Sequence, residues 1–227
     1  MKHLPDAPGI YDLVCDLNGV RYTLSIPEAY PLEQSPALVV ALHQGGVISP
    51  FYGREMMEYL VEPGLHVLEA LIAAPECRFS SWTTLRCEND VLSLIDYLAE
   101  NYPLDAKRIV LTGYSAGGAG VWYMAARRQE RFSAAIPISC NPHADAFFFE
   151  WQVPVYAIHS RKDELVPYQQ VEYNIQRLRD RGQQIEFVLL DTPTHDEWQS
   201  FVTPLQAAVP WIRQQWQIQH GSPTDML

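Results

Sequence analysis

The segment Gly113-Tyr114-Ser115-Ala116-Gly117 constrains the fold more than any other part of this chain. It follows an apolar run at 108–112 and opens a helical run of small residues at 116–128. A serine at the apex of a sharp strand-to-helix turn is held out from the sheet edge, and its flanking glycines leave room where larger side chains would collide. The same pattern also fits an ordinary glycine-rich tight turn. The strand before it and the helix after it favour a strand–turn–helix unit that exposes the serine hydroxyl.

Strand-like and helix-like patterns alternate along the chain after an antiparallel start. Asn18-Gly19 lies between two strand-like segments and predicts a hairpin turn. The predicted strands are 10–16, 20–26, 37–42, 70–74, 108–112, 133–139, 153–159 and 185–190, and the predicted helices are 52–61, 88–102, 116–128, 168–181 and 202–219, the last with a kink at Pro210. This order predicts an α/β fold with a mostly parallel sheet, helices on both faces and an antiparallel N-terminal hairpin.

Two further reactive residues follow later predicted strands. Asp163 lies in the polar loop after strand 153–159, and His195 lies in the loop after strand 185–190. Because the carboxyl ends of parallel strands meet at one edge of a sheet, Ser115, Asp163 and His195 are expected to lie together. Serine, acid and histidine occur in the chain order that a strand–turn–helix nucleophile requires.

Other acids and histidines compete for these places. The alternatives are the acids Glu164 and Asp145 and the histidines His43, His143 and His159. Strand alternation would point Glu164 away from its neighbour Asp163. Asp145 follows the sixth predicted strand, so it is a second possible acid at the same edge of the sheet. His159 ends an apolar strand and is expected to be a satisfied side chain near the core. His143 lies in a turn that could reach the rim of the cleft, and His43 is expected to brace the loop after its strand.

The composition is that of a soluble globular protein, with 48% hydrophobic and 19% charged residues. A chain of 227 residues fits one domain spanning 1–227, with a frayed tail at 220–227. The net charge of −11 argues against nucleic acid and anionic membrane surfaces as partners. No apolar stretch is long enough to span a bilayer.

The cysteines and histidines give no sign of a metal site. The N-terminal residues lack the apolar core of a secretory signal, which predicts a cytoplasmic protein. The four cysteines, Cys15, Cys77, Cys87 and Cys140, are then expected to be reduced, and their spacing is not that of metal ligands. No His-Glu-x-x-His motif is present, so we expect neither a metal nor an organic cofactor. The sequence leaves a homodimer open.

Taken as a set, these motifs resemble the α/β-hydrolase superfamily. Within it, the chain is similar to the small, lidless carboxylesterase, lysophospholipase and acyl-thioesterase group and to dienelactone-hydrolase and prolyl-oligopeptidase-like esterases. The resemblance covers roughly 38–211 and depends on segments 42–46, 81–82, 113–118, 159–167 and 194–198. The chain departs from the family at Gln44, where a glycine usually follows the histidine.

The resemblance implies a serine hydrolase that cleaves a small-molecule carboxylic ester or thioester through an acyl-serine intermediate. Ser115 would be the nucleophile, His195 its base and Asp163 the acid that orients the imidazole. The backbone N–H groups of Ala116 and Gly45 would form the oxyanion hole, with Gly45 favoured by family position over Gln44.

The substrate is less readable than the mechanism. Trp82, Gln44 and Tyr114 are expected to contact substrate, and the stretch 140–152 is too short for a large cap domain. The aromatic run 147–151 within it could line an acyl pocket or simply pack in the core. Acyl transfer, thioester cleavage and peptide cleavage use the same three residues. A catalytically silent binding protein on the same fold is the alternative from another class.

Overall fold

A single eight-stranded sheet organises the residues that the computed structural model describes, which are 4–31, 34–79 and 81–220. Its strands are β1 (Gly9–Val14), β2 (Arg21–Ile26), β3 (Leu38–Leu42), β4 (Leu71–Pro75), β5 (Ile109–Tyr114), β6 (Ala134–Ile138), β7 (Val155–Ser160) and β8 (Ile185–Leu190). They lie in the order β1-β2-β4-β3-β5-β6-β7-β8. Strands β3 to β8 are mutually parallel, whereas β1 and β2 pair in antiparallel fashion and β2 pairs antiparallel with β4. The predicted fold class is confirmed.

The helices cover both faces of this sheet. They are α1 (Gly53–Met56), α2 (Glu62–Leu65), α3 (Leu85–Asn101), α4 (Ala116–Arg127), α5 (Asp145–Phe148), α6 (Tyr168–Arg179), α7 (Val202–Ala207) and α8 (Val209–His220). A π-helical segment, Met57–Val61, joins α1 to α2, so the predicted helix 52–61 continues further than its sequence pattern indicated. None of the described helices combines the length and the apolar character that crossing a bilayer would require. The predicted tail lies, from residue 221, outside the described residues.

The central strands are buried because each face packs against a different layer of helices. Along β3, Leu38, Val40 and Leu42 join the core layer that includes α3 and α4. Val39 and Ala41 join the other layer, with apolar side chains of the segment 53–68, α7 and α8. This double coverage explains why the strands read as continuous apolar runs rather than as alternating ones.

Two helix boundaries differ from the sequence pattern for identifiable reasons. The predicted helix 88–102 begins earlier, at Leu85, because the Thr84 side chain accepts a hydrogen bond from the Cys87 N–H and caps the helix. The predicted helix 202–219 is divided at Ala208, two residues before Pro210, which cannot donate the helical hydrogen bond. Neither difference moves a strand end, so the loops of interest keep their places.

Candidate active site

Ser115 lies on the tight turn between β5 and α4. Its backbone has φ 53° and ψ −115°, a conformation that side-chain-bearing residues rarely adopt. A Cβ on Gly117 would overlap the carbonyl oxygen of Leu42, and a Cβ on Gly113 would come within 2.7 Å of the Gly117 backbone. The Ser115 N–H donates to Ile138 O at 2.9 Å. The two glycines therefore allow the turn to pack against β3, and the hydrogen bond to β6 holds the strained Ser115.

The structure brings His195 and Asp163 to this serine. Nε2 of His195 lies 2.9 Å from Oγ of Ser115, and Nδ1 lies 2.8 Å from Oδ2 of Asp163. Asp163 is 5% exposed and His195 is 7% exposed. Because the carboxylate accepts only, the hydrogen of a neutral imidazole belongs on Nδ1, which leaves Nε2 free to accept from the serine hydroxyl. Such an imidazole could take the Ser115 proton.

The loop around Asp163 is built to present its carboxylate. Oδ1 of Asp163 accepts hydrogen bonds from the Leu165 N–H at 3.1 Å and the Val166 N–H at 2.7 Å. Nε2 of His159 in turn donates to Val166 O at 2.9 Å, and burial lowers the pKa of this histidine, which favours its neutral form. Burial alone would raise the pKa of Asp163, but the hydrogen bonds from His195 and Val166 outweigh it and hold the pKa below its ordinary value. Asp163 is therefore a carboxylate.

The pKa of His195 is shifted in the opposite direction. The hydrogen bond to Asp163 raises this pKa above its ordinary value, although burial acts against the rise. The charges of Asp163, Glu164 and Asp196 add to the effect. The surroundings thus favour the imidazolium that forms when His195 accepts a proton.

The other candidate acids, Glu164 and Asp145, and the candidate base His143 make different contacts. Glu164 Oε2 accepts from the backbone N–H of His195 at 3.1 Å, so it meets the main chain and not the imidazole. Asp145 pairs with Arg127 at 3.2 Å, and its Oδ1 lies 3.4 Å from Nδ1 of His143. Of the candidate acids, only Asp163 is hydrogen-bonded to the His195 ring in the described residues.

Gly45 and Ala116 lie side by side next to Ser115. Ala116 is the first residue of α4, and a Cβ on Gly45 would lie 3.5 Å from its methyl carbon. No side chain caps this helix, whose first N–H groups have no partner within the helix and carry its positive dipole end. Both residues are exposed, and Val47, two residues further along the loop, is 91% exposed. The two residues expected to form the oxyanion hole therefore adjoin each other at an exposed place beside the serine.

The loop that carries Gly45 is braced from beneath. Nδ1 of His43 donates to Gln44 O at 2.6 Å, and its Nε2 accepts from the Cys77 N–H at 3.0 Å. Burial lowers the pKa of His43, so the ring is neutral and can both donate and accept. Nε1 of Trp82 donates to His43 O at 2.8 Å, and the two ring centroids are 4.9 Å apart. His43 and Trp82 thus fix the strand end from which the loop departs.

The structure places the three residues that were expected to contact substrate differently from one another. Trp82 is 3% exposed, beneath the loop, and Tyr114 is 2% exposed. The Tyr114 hydroxyl donates to the backbone oxygen of His195 at 2.5 Å. Gln44 is partly exposed, although its Oε1 is buried and makes no hydrogen bond within the described residues. Of the three, only Gln44 keeps a surface position at the site. The two aromatic side chains are buried and support the backbone of the site residues.

The aromatic run 147–151 is divided between core and surface. Trp151 is buried, with Nε1 donating to Ala146 O at 2.9 Å and its ring 6.2 Å from that of Trp122 on α4. Phe148 is 80% exposed, and Phe149 lies under the Arg127 guanidinium.

Within the described residues, no group of three or more histidine, cysteine, aspartate or glutamate side chains is arranged to hold a metal ion.

Comparison with known proteins places this chain among hydrolases. A segment of 91 residues is 30% identical to a bifunctional acetylxylan esterase/xylanase of Neocallimastix patriciarum, covering 40% of this chain and 14% of that protein. Over 172 residues the chain is 24% identical to a probable feruloyl esterase C of Aspergillus terreus, covering 70% of this chain and 61% of the relative. The chain therefore spans less than two thirds of the length of each of these two curated relatives.

Solved structures agree on the fold. A thermostable esterase superposes with a TM-score of 0.73 at 22% identity, covering 91% of this chain and 62% of that one. The model of the dienelactone hydrolase family matches residues 33–196, a segment that includes Ser115, Asp163 and His195. With its parallel sheet, its strand–turn–helix serine and this match, the chain has the α/β-hydrolase fold and belongs to the dienelactone hydrolase family.

Proposed function

We propose that this chain hydrolyses carboxylic esters with Ser115 as nucleophile. The observation that carries the proposal is the hydrogen-bonded series from the serine through the imidazole to a buried carboxylate. The distance from Ser115 Oγ to His195 Nε2 is 2.9 Å, which is short enough for proton transfer. The distance from His195 Nδ1 to Asp163 Oδ2 is 2.8 Å, which lets the carboxylate orient the imidazole.

The first step forms the acyl-serine. Oγ of Ser115 attacks the ester carbonyl carbon while Nε2 of His195 takes the hydroxyl proton, and Asp163 stabilises the resulting imidazolium. Negative charge develops on the former carbonyl oxygen, and the N–H groups of the adjacent residues Ala116 and Gly45 would receive it. The C–O bond to the leaving alcohol then breaks, and His195 returns its proton to the alcohol oxygen.

The second step releases the acid. A water molecule attacks the acyl carbon as His195 takes one of its protons, and the same two N–H groups receive the second oxyanion. Collapse of this intermediate breaks the bond to Ser115 Oγ, which recovers its proton from Nε2. Both functions of His195 need only the geometry already described, because deacylation follows the acylation path in reverse with water in place of the alcohol.

For the substrate we propose esters of a bulky alcohol with a short or aromatic acyl group. The two curated relatives are named for acetylxylan and feruloyl esters, which are of this kind. The exposure of Gly45, Ala116 and Val47 supports an open site that a large alcohol portion could approach. The region between β6 and β7 holds only the short helix α5, which leaves little to cover such a substrate.

A fluorophosphonate probe and a panel of esters test the proposal. We expect the wild-type protein to be labelled at Ser115 in a one-to-one ratio and to release acid from acetyl and hydroxycinnamoyl esters. Ser115→Ala should lose both properties, whereas Ser200→Ala, at an exposed serine on another segment, should keep both. A folded wild-type protein that is neither labelled nor active on any ester would overturn the proposal and favour a binding protein.

A further inference from the structure

The main chain of His195 is held from two sides by neighbours of the other two proposed catalytic residues. The hydroxyl of Tyr114, which precedes Ser115, donates to His195 O at 2.5 Å. Oε2 of Glu164, which follows Asp163, accepts from the His195 N–H at 3.1 Å. We propose that Tyr114 and Glu164 are positioning residues that fix His195 between nucleophile and acid, an inference that rests on the proposed function.

Tyr114 is the rigid half of this arrangement. It is the last residue of β5, it pairs with Ile138 of β6, and its side chain is 2% exposed. Its ring centroid lies 5.5 Å from that of Phe201 and 5.5 Å from that of His195. Burial raises the pKa of Tyr114, so the hydroxyl remains a donor throughout the range in which the protein would work. The sheet thereby holds the carbonyl of a loop residue.

The histidine loop needs such a hold because it reaches back from the far side of β7. His195 follows β8, whereas Ser115 follows β5, and β6 and β7 lie between these strands. Glu197 Oε2 accepts a hydrogen bond from the Thr194 N–H at 2.8 Å, but both residues belong to the same loop, so this contact does not connect the loop to the sheet. Tyr114 and Glu164 connect it to the strand ends that carry its two partners. A displacement of about 1 Å at a reacting group can cost on the order of 100-fold in rate.

Glu164 adds a charge as well as a hydrogen bond. The carboxylates of Asp163, Glu164 and Asp196 favour the protonated form of the His195 ring, and His159 also interacts with it electrostatically. His159, on the other side of Asp163, is buried and neutral, and Tyr114 is protonated. Replacing Glu164 by glutamine keeps an acceptor for the His195 N–H and removes the charge, whereas alanine removes both. Comparing the two substitutions therefore distinguishes the role of Glu164 in positioning His195 from the effect of its charge on the His195 pKa.

The central experiment is Tyr114→Phe, assayed with the ester that the wild-type protein cleaves best. We expect kcat to fall about tenfold, which is the rate equivalent of one lost neutral hydrogen bond, with KM unchanged. The rate of fluorophosphonate labelling should fall in parallel. Tyr102→Phe is the matched control, because that buried tyrosine also donates to a backbone oxygen, Pro5 O at 2.7 Å, at a place that contacts none of the three residues. It should leave kcat unchanged.

Glu164 gives a second test that does not depend on a core substitution. We expect Glu164→Ala to lower kcat several-fold and Glu164→Gln to retain the maximal rate. In both variants the acidic limb of the pH–rate profile should move to lower pH, because the lost negative charge no longer favours protonation of His195. A merely structural role would change thermal stability without moving this limb.

The outcomes keep the two proposals apart. If wild-type protein is inactive and unlabelled, the proposed function fails. If wild-type protein is active but Tyr114→Phe and Glu164→Ala both retain full kcat and the wild-type pH profile, the positioning role is wrong while the function stands. If Tyr114→Phe does not fold, the Glu164 pair decides in the same way, since Glu164 is exposed and its replacement leaves the core intact.

Discussion

The carbonyl oxygen of Leu42 fills the space into which a side chain on Gly117 would project. This contact joins the end of β3 to the first turn of α4. It brings the loop after His43 against the residue that follows Ser115, and so assembles the candidate oxyanion position from two strand ends. Packing at a single glycine thus sets how closely the two segments that carry the proposed backbone donors approach each other.

We expect Gly117→Ala to destabilise the protein. In an ordinary helix interior the change would stabilise by about 1 kcal/mol, but here the new methyl meets backbone that cannot rotate away. The free energy of unfolding should fall by about 3 kcal/mol, measured by denaturant titration. Gly45→Ala is the control, because a Cβ there makes ordinary contact at 3.5 Å and should change stability by only about 0.5 kcal/mol. Equal effects of the two substitutions would contradict this account of the turn.

His195→Ala should abolish nearly all ester turnover without unfolding the chain. The serine would lose its only proton acceptor among the described contacts, and kcat should fall by about 10⁴-fold or more. His143→Ala provides the comparison, since that ring lies against Asp145 and Tyr123. It should keep wild-type kcat in the same steady-state assay. Retention of most activity by His195→Ala would exclude its role as base.

Asp163→Asn should be far more damaging than Glu164→Gln. The amide would present the wrong hydrogen-bonding partner to Nδ1 of His195, and the equivalent change costs about 10⁴-fold in kcat in a Ser-His-Asp protease. Glutamine at 164 still accepts the His195 N–H, so kcat should stay near wild type. Steady-state kinetics of both variants at one pH decide, and the reverse order would exchange the assignments of the two acids.

The activity should decline as pH falls, with a midpoint above the ordinary histidine pKa of about 6.5. His195 must be neutral to accept the serine proton, and its pKa is raised mainly by the hydrogen bond to Asp163. The same shift stabilises the fold below the unfolded-state pKa of histidine, and this contribution is lost as pH rises through the folded-state pKa. A profile of kcat/KM against pH measures the midpoint. A limb well below the ordinary histidine value would show that another group controls activity.

Trp82→Phe should lower kcat and leave KM unchanged. The substitution removes the donor to His43 O and leaves a buried acceptor unsatisfied, at a cost of about 1–3 kcal/mol in stability. If Trp82 contacted substrate, as the resemblance to known hydrolases suggested, KM would rise instead. Kinetics and thermal denaturation on the same variant distinguish support of the loop from contact with the ligand.

The sheet and the meeting of Ser115, Asp163 and His195 could be read from the sequence because they depend on strand ends. A parallel strand order brings such ends to one edge whatever the loops do. Side-chain direction was harder to predict. Tyr114 adjoins Ser115 in sequence and Trp82 lies in the loop between β4 and α3, but whether such a residue faces the cleft or the core depends on packing across several elements. Their hydrogen bonds to His195 and His43 join positions 81 and 39 residues apart, a distance that no local pattern encodes.

Val47, on the loop that begins at His43, presents its side chain almost wholly to water. Nothing in the core depends on it, and exposed positions of this kind usually change stability by less than about 0.5 kcal/mol when they are replaced. A collection of variants at residue 47 is therefore a practical starting point for altering the proposed ester preference, since the proposed catalytic residues and the packed core lie elsewhere in the chain.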